Sequence, residues 1–415
     1  MQHIYIDRIV TQKIRSLLED FPAVVISGAR QVGKSTLLQH VFGQEADYVV
    51  FEEFLDVENV RKDPEFFLRQ HPKRPLILDE IQYVPELVST LKRYIDRNPS
   101  PGQFLLTGSQ QWSVMKSLSE SLTGRAAFVD LEGFCLSEIA NQPFQKSWLQ
   151  QWLDSPAEFL TEKHERLNLN YTVLDILWRG GLPQAYFIKP ENLPDFFLAY
   201  LRTYIERDVR SFADVLDWQL FGRFVGLSAA LTAQEINYSQ LGRDLGLTPQ
   251  TARRWLAMLK ATFQWFEVPA FSGNPVKRIS GKPKGYFADT GLACALQAIS
   301  SPKALGTSPL LGRLFETAVV GQIRKLSAVL SGRPILHHWR TLRGAEVDLL
   351  LERDGRFYPI EIKVAGVPSR SDVSGIAAFR KTYPNLQIEK GLVICPVEKI
   401  MALSDEDYAV PWDLL

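Results

Sequence analysis

At 415 residues the chain is longer than one small hydrophobic core organises, so two to four domains are expected. Its 46% apolar and 23% charged residues are ordinary for a globular protein, which excludes the disordered class. Lys plus Arg and Asp plus Glu both number 47, which excludes a global pull toward nucleic acid or anionic membrane; any such attraction has to be local.

Residues 1–20 alternate apolar and charged positions at helical spacing, and Phe21-Pro22 breaks the pattern before Ala23-Val24-Val25-Ile26-Ser27-Gly28, a short buried strand. Strands are predicted at 48–51, 76–78, 104–107 and 127–131, with amphipathic helix such as 86–97 between them. This alternation predicts a parallel sheet wrapped by helices. Residues 141–210 turn helical, interrupted by Gly180-Gly181-Leu182-Pro183, which reads as a helical lid. Residues 212–300 predict three helices and then a Gly/Pro-punctuated basic stretch over 272–285. From 310 onward, a helix around Glu316 precedes strands at 346–351 and 357–364, and Asp354-Gly355 between them is a hairpin signal.

Cys135, Cys294 and Cys395 are odd in number and widely separated, which argues against a disulfide framework or zinc ribbon and suits a reducing cytoplasm. Neither a signal-peptide pattern nor an apolar run of bilayer length is found, so a cytoplasmic protein without a membrane partner is expected.

Gly28-Ala29-Arg30-Gln31-Val32-Gly33-Lys34-Ser35 matches GxxxxGK[ST] without a mismatch, after a strand and before the helix predicted to start at Thr36. The glycines let backbone N–H groups curl around phosphates and the helix N-terminus adds partial positive charge. Lys34 is suited to the β- and γ-phosphates, and Ser35 to magnesium. Leu76-Ile77-Leu78-Asp79-Glu80 is an apolar strand ending in two acids, expected beside the P-loop. Asp79 is expected to hold magnesium through water, and Glu80 to polarise the attacking water. ATP and magnesium are thus the expected ligands. Thr107 or Ser109, after the next strand, either contacts the γ-phosphate and lytic water or caps the following helix. Arg125 either reaches a neighbouring subunit's phosphate, which implies a homo-oligomer, or forms a surface salt bridge.

Residues 239–256 read as helix, turn, helix: Gly246 ends the first, Thr248 caps the second and Pro249 opens it. Eight Lys/Arg against two acids between Arg243 and Gly285 make this stretch basic within a neutral chain. Arg253 and Arg254 on the second helix, with Lys277, Arg278, Lys282 and Lys284 in a wing, are suited to DNA phosphates or base edges. The same module in other settings binds protein. In the C-terminal part, Glu361 and Lys363 share a strand face, and Asp348 and Glu316 are expected to meet them. Carboxylates with a lysine either bind magnesium for phosphodiester hydrolysis, serve a fold kept for binding, or are ordinary charges on a hairpin. His337-His338 point to opposite faces and are read as incidental.

These motifs together resemble AAA+ ATPases of the archaeal-type, origin-recognition-like branch. The resemblance includes Leu122-Thr123-Gly124-Arg125, Arg179-Gly180-Gly181-Leu182-Pro183, Tyr204-Ile205-Glu206-Arg207-Asp208-Val209 and Gly312-Arg313-Leu314-Phe315-Glu316. It implies the arginine-finger position for Arg125 and a lid position for the Gly-Gly-Leu-Pro turn. The C-terminal part resembles the PD-(D/E)xK nuclease core, with Glu316, Asp348, Glu361 and Lys363 at motif positions and Val347 in place of proline. The expected fold is α/β: a P-loop ATPase core over 1–135, a helical lid over 136–211, a winged-helix-like module over 212–300 and a restriction-endonuclease-like domain over 301–415. The expected function is an ATP-hydrolysing switch or motor acting on DNA, with nuclease action left open; the alternative is a signalling or scaffold ATPase whose C-terminal half binds protein.

Overall fold

The computed structural model describes residues 5–51, 54–108, 118, 120–204 and 217–414. Ser109, residues 205–209 and the side chain of Lys277 lie outside the described residues.

The N-terminal part runs α1 (Val10–Asp20), β1 (Ala23–Ser27), α2 (Lys34–Phe42), β2 (Asp47–Val50), α3 (Phe54–Lys62), α4 (Pro64–Gln70), β3 (Leu76–Asp79), α5 (Leu87–Arg97), β4 (Phe104–Gly108) and β5 (Ala126–Asp130). The five strands are parallel in the order β2-β3-β4-β1-β5. β1 is buried throughout because side chains of period two serve both faces. Val24 and Ile26 join Ile14, Leu37 and Leu38 on one side, while Ala23 and Val25 join Leu87, Leu91 and Ile95 on the other. The sequence expectation that sets β3 beside the P-loop strand is corrected here, since β4 lies between them. Apolar pattern identifies a strand but not its neighbour.

Helices α6 (Leu136–Ile139), α7 (Trp148–Asp154), α8 (Pro156–Thr161), α9 (Val173–Arg179) and α10 (Leu193–Thr203) follow. The middle part contains α11 (Trp218–Ala230), β6 (Gln234–Glu235), α12 (Tyr238–Arg243), α13 (Pro249–Ala261), β7 (Trp265–Val268), α14 (Pro275–Ser280), β8 (Lys284–Phe287), α15 (Thr290–Leu296) and α16 (Pro302–Gly306). α12 and α13 are joined by a tight turn in which Thr248 Oγ1 accepts from Thr251 N–H at 3.1 Å and Pro249 opens the second helix. The small antiparallel sheet has the order β6-β8-β7.

The C-terminal part runs α17 (Leu311–Val329), β9 (Ile335–Arg340), β10 (Glu346–Arg353), β11 (Arg356–Ile362), α18 (Ser374–Thr382), β12 (Gln387–Ile388), β13 (Gly391–Cys395), β14 (Met401–Ala402) and β15 (Asp407–Pro411). β9, β10 and β11 form an antiparallel meander, and α18 crosses over so that β13 pairs parallel to β11. Asp354-Gly355 is the two-residue turn that the sequence predicts, with φ of 52° and 76°, closing the Arg353–Arg356 pair.

The middle and C-terminal parts are not separable bodies. One buried apolar cluster runs from Ile14 and Val24 through Leu177, Phe224 and Tyr286 to Leu314, Leu349 and Ile394. The segment after β7, expected to start a solvent-facing wing, instead pairs with β9: Phe271 N–H donates to His338 O at 2.7 Å and His338 N–H to Pro269 O at 3.0 Å. Phe271 is buried among Trp339, Leu350, Phe357 and Phe379, and removing that ring from water outweighs leaving the segment free. Among the described residues, no helix is long and apolar enough to cross a membrane.

Candidate active site

The P-loop leaves β1 at a position that only glycine fits: a Cβ on Gly28, whose φ is 152°, would stand 2.0 Å from Leu131 O. Gly33, with φ of 94°, turns the chain into α2. Lys34, buried at the first position of α2, donates to Gly28 O and Ala29 O, each at 2.9 Å. Its ammonium therefore sits inside the curve of the loop, where the N–H groups of the loop and of the α2 N-terminus favour negative charge. Arg30, Gln31, Val32, Ser35 and Thr36 complete the turn, with the Thr36 and Gln31 side chains exposed.

Asp79 is 1% exposed at the tip of β3. One of its carboxylate oxygens accepts from Thr107 Oγ1 and the other from Tyr48 Oη. Burial, together with the bond to Asp79, pushes the pKa of the Tyr48 hydroxyl above the usual tyrosine range. Thr107 Oγ1 in turn accepts from the Glu80 N–H at 3.1 Å, so one hydroxyl on β4 fixes both acids of β3. Glu80 adopts a left-handed backbone, φ 60° and ψ 45°, a strained choice for a non-glycine residue that turns its carboxylate off the strand line. Gln82 Nε2 donates to that carboxylate. Ser35 and Asp79 carry hard oxygen donors, the kind that magnesium prefers. The structure thus brings Lys34, Ser35, Asp79, Glu80 and Thr107 to one end of the sheet.

Three contributors were missed by sequence reading. Tyr48 is the first, since a tyrosine opening a β-strand carries no signal of its own. Arg8 is the second: its guanidinium pairs with Glu138 Oε1 at 3.0 Å and donates to Val32 O within the P-loop at 2.7 Å and to Glu132 O. Its partner Glu138 is 130 residues away, beyond any local rule. The third is a cavity of about 640 Å³ at the P-loop edge, lined by Tyr5, Arg8, Gly33, Phe134, Pro183 and Phe187. Its size is that of a small-ligand site. Tyr5 stacks on His40 at 3.7 Å between ring centroids. Its hydroxyl is buried without a hydrogen-bond partner among the described residues, and burial pushes its pKa up to about 12.

The turn over residues 180–183 is held from the middle part. Asp289 accepts from Gly181 N–H at 2.7 Å and Leu182 N–H at 3.2 Å while capping α15 through Leu292 N–H at 2.8 Å. α17 reaches the same wall, where Lys325 Nζ donates to Phe134 O at 2.9 Å and Arg324 pairs with Glu132.

Arg125 lies at the other end of the sheet. The register Ala23–Ala126 and Ser27–Asp130 sets it roughly 20 Å of strand from its own P-loop. Its Nε is 2.5 Å from Asp96 Oδ1, an exposed ion pair.

Of the basic residues expected to face DNA, Arg253 and Arg254 are exposed on α13, and Lys282 is exposed ahead of β8. Arg278 instead stacks over Phe271 at 4.4 Å and pairs with Glu352 at 3.1 Å. Lys284 corrects the wing expectation: its side chain is only 5% exposed and cannot meet a phosphate backbone. It lies among the C-terminal acids, 2.7 Å from Glu316, 2.8 Å from Glu346 and 3.4 Å from Asp348. Lys363 contacts Asp348 at 3.3 Å and Glu361 at 2.9 Å. Glu316, Asp348, Glu361 and Lys363 therefore do converge, with Lys284 and Glu346 added. Burial and the Asp348 charge raise Glu316 to about 7, and burial also raises Glu361. Burial would raise Asp348 too, but Lys284 and Lys363 outweigh it and hold its pKa below the usual value. Among the described residues, no group of three or more His, Cys, Asp or Glu forms a metal site. His337 and His338 serve separate bonds, to Glu352 and Lys282 O, each at 3.0 Å.

A P-loop folded around its lysine, with a buried acid at the tip of a second strand of the same parallel sheet and a second acid just beyond it, is the site of a P-loop ATPase. Residues 20–140 match the family model described as AAA domain, so the protein is an AAA-type ATPase that binds and hydrolyses ATP. Residues 171–303 and 311–415 match models described as Domain of unknown function (DUF8612) and Domain of unknown function (DUF4143). Over 401 residues, 97% of this chain and 82% of each relative, it is 30% identical to Uncharacterized protein Rv2008c of Mycobacterium tuberculosis and Uncharacterized protein Mb2031c of Mycobacterium bovis. The chain belongs to the same family as these two mycobacterial proteins. Among solved structures, the Walker-type ATPase PABY2304 of Pyrococcus abyssi is 14% identical, covering 69% of this chain and 94% of that one at a TM-score of 0.45.

Proposed function

We propose that this ATPase is a nucleotide-driven switch acting on DNA in the cytoplasm. The observation that carries the reading is the path of α17: Lys325 holds Phe134 in the wall of the P-loop cavity and Arg324 holds the nearby Glu132, while Glu316, two turns earlier, enters the C-terminal acid cluster. A movement of the cavity wall on ATP binding or hydrolysis is therefore transmitted to the C-terminal part through one helix. In this reading Lys34 neutralises the β- and γ-phosphates, Ser35 and Asp79 hold the magnesium of ATP, Glu80 polarises water and Thr107 positions both acids. Bound magnesium supplies charge neutralisation at the phosphates. Arg125, remote from its own P-loop and exposed, fits a role in a neighbouring copy's site within a homo-oligomer. The helix pair α12 and α13, with Arg253, Arg254 and Lys282 exposed, supports a winged-helix-like DNA contact over 212–300. The helix, three strands, helix, two strands order over 311–395 supports a restriction-endonuclease-like fold; with Lys284 amid its acids, we read it as a binding module.

The deciding experiment measures phosphate release with and without single- and double-stranded DNA across a salt series. Stimulation that fades steeply with salt is expected, and Arg253→Glu with Arg254→Glu should abolish it. A rate unmoved by DNA at low salt would favour the scaffold alternative. Release that survives Lys34→Ala or Glu80→Gln would remove the assigned site.

A further inference from the structure

Four elements converge on one polar centre within the continuous core. β8 contributes Lys284 and, two residues on and on the same face, Tyr286; α17 contributes Glu316, β10 Glu346 and Asp348, and β11 Glu361. The Lys284 ammonium carries three N–H donors and has three carboxylates around it, at 2.7, 2.8 and 3.4 Å. Tyr286 Oη adds a bond to Glu316 at 2.8 Å, and the backbone N–H of Ile362 one to Asp348 at 3.0 Å. Lys363 takes the second oxygen of Asp348 and one oxygen of Glu361. Several carboxylates drawn around one positive charge is also what a divalent cation achieves, with the same hard oxygens.

We propose that Lys284 is the resident cation of this centre: the middle part of the chain supplies, from its own backbone, the positive charge that these acids would otherwise take from a divalent metal. The lysine is built in rather than inserted as a gate. β8 is the middle strand of its sheet, with Lys284 itself paired to Glu235 and Val268. On one side of it the chain is anchored by Phe271 in the C-terminal core, on the other by the Asp289 cap. Withdrawing the ammonium would require pulling this sheet apart. Four acids face two lysines, and burial raises Glu316 and Glu361, which makes their protonation easier and so reduces the remaining imbalance. Two consequences follow. The magnesium requirement of the protein is confined to the nucleotide, and the middle and C-terminal parts move as one body. The inference stands independently of DNA binding.

The test is manganese binding to the full, nucleotide-free chain, followed by the electron paramagnetic resonance signal of free Mn2+ and by thermal melting. Wild type is expected to bind no Mn2+ at this centre, and its melting temperature should not depend on the ion. Lys284→Ala should melt about 10 °C lower, take up one Mn2+, and regain most of the lost melting temperature on doing so; adding Asp348→Asn should abolish both uptake and rescue. Wild-type uptake that Asp348→Asn removes would overturn the proposal, because the lysine would then yield its place to metal. A folded Lys284→Ala that takes up no Mn2+ would also overturn it. If Lys284→Ala does not fold, the comparison of wild type with Asp348→Asn and with the milder Glu346→Gln decides: ion-independent melting in all three supports the lysine, and a wild-type rise lost in either variant refutes it.

Discussion

Replacing Arg8 with methionine isolates the clamp behind the P-loop. The side chains of Arg8 and Glu138 are 5% and 2% exposed, so the pair has little solvent screening. Without the guanidinium, Glu138 keeps only the N–H groups of Ile9 and Cys135, each at 2.8 Å, and Val32 O and Glu132 O lose their donor. Breaking a buried pair while leaving one charge behind costs about 3–5 kcal/mol. In an ATPase core of this size that lowers the first melting transition by about 10 °C. Calorimetry of wild type, Arg8→Met, Glu138→Gln and the double variant forms a complete cycle. The double variant should recover a large part of the loss, because the orphaned carboxylate goes with its partner. ATP binding, followed by a fluorescent analogue, should weaken in Arg8→Met because the P-loop carbonyl it holds is released. The reasoning fails if Arg8→Met melts within about 2 °C of wild type, or if the two single losses simply add in the double variant.

Tyr48→Phe removes the hydroxyl that donates to Asp79, a bond to a charged group worth about 1.5–3 kcal/mol. Phosphate release should slow by roughly tenfold to a hundredfold, with saturation at higher magnesium concentration; an unchanged magnesium titration would contradict the role of that bond. Glu316 gives a pH dependence with a definite sign. Its carboxyl is raised from 4.5 to about 7, so its proton is held more tightly in the fold, and stability from this group is complete below pH 4.5 and lost as pH rises to about 7. At about 1.4 kcal/mol per pH unit the effect is about 3–4 kcal/mol. Glu316→Gln should reduce the fall in melting temperature between pH 5 and pH 7, leaving the part that comes from Glu361, which burial also raises, and an unaltered fall would count against the assignment. Arg125→Ala and Lys34→Ala, each expected to be inactive alone, should regain phosphate release when mixed, since one supplies the P-loop and the other the arginine; failure to complement would leave Arg125 with its Asp96 ion pair alone.

The nucleotide site was legible because its chemistry is local. Eight consecutive residues curl around Lys34, the conformations of Gly28 and Gly33 are demanded within that stretch, and the flanking strand and helix are visible as apolar period. Asp79 and Glu80 were legible as the end of a buried strand, and Asp354-Gly355 as a turn. What holds these pieces in register was not legible. Arg8 meets Glu138 across 130 residues, and Thr107 meets Asp79 across 28. Neither pairing leaves a mark in any window short enough to read.

Lys284 marks the boundary between the two kinds of information. Between Lys282 and Gly285, in a basic, proline-containing stretch, it has every local property of a solvent-facing lysine. Only the pairing of β8 into a sheet that shares its core with α17 and β10 turns it inward onto three carboxylates. Sequence alone determined where the glycine-rich loop curls around Lys34, because backbone geometry and charge there are set by neighbours along the chain. The tertiary structure decided which charges face water and which face one another, because that depends on which surfaces exclude solvent together.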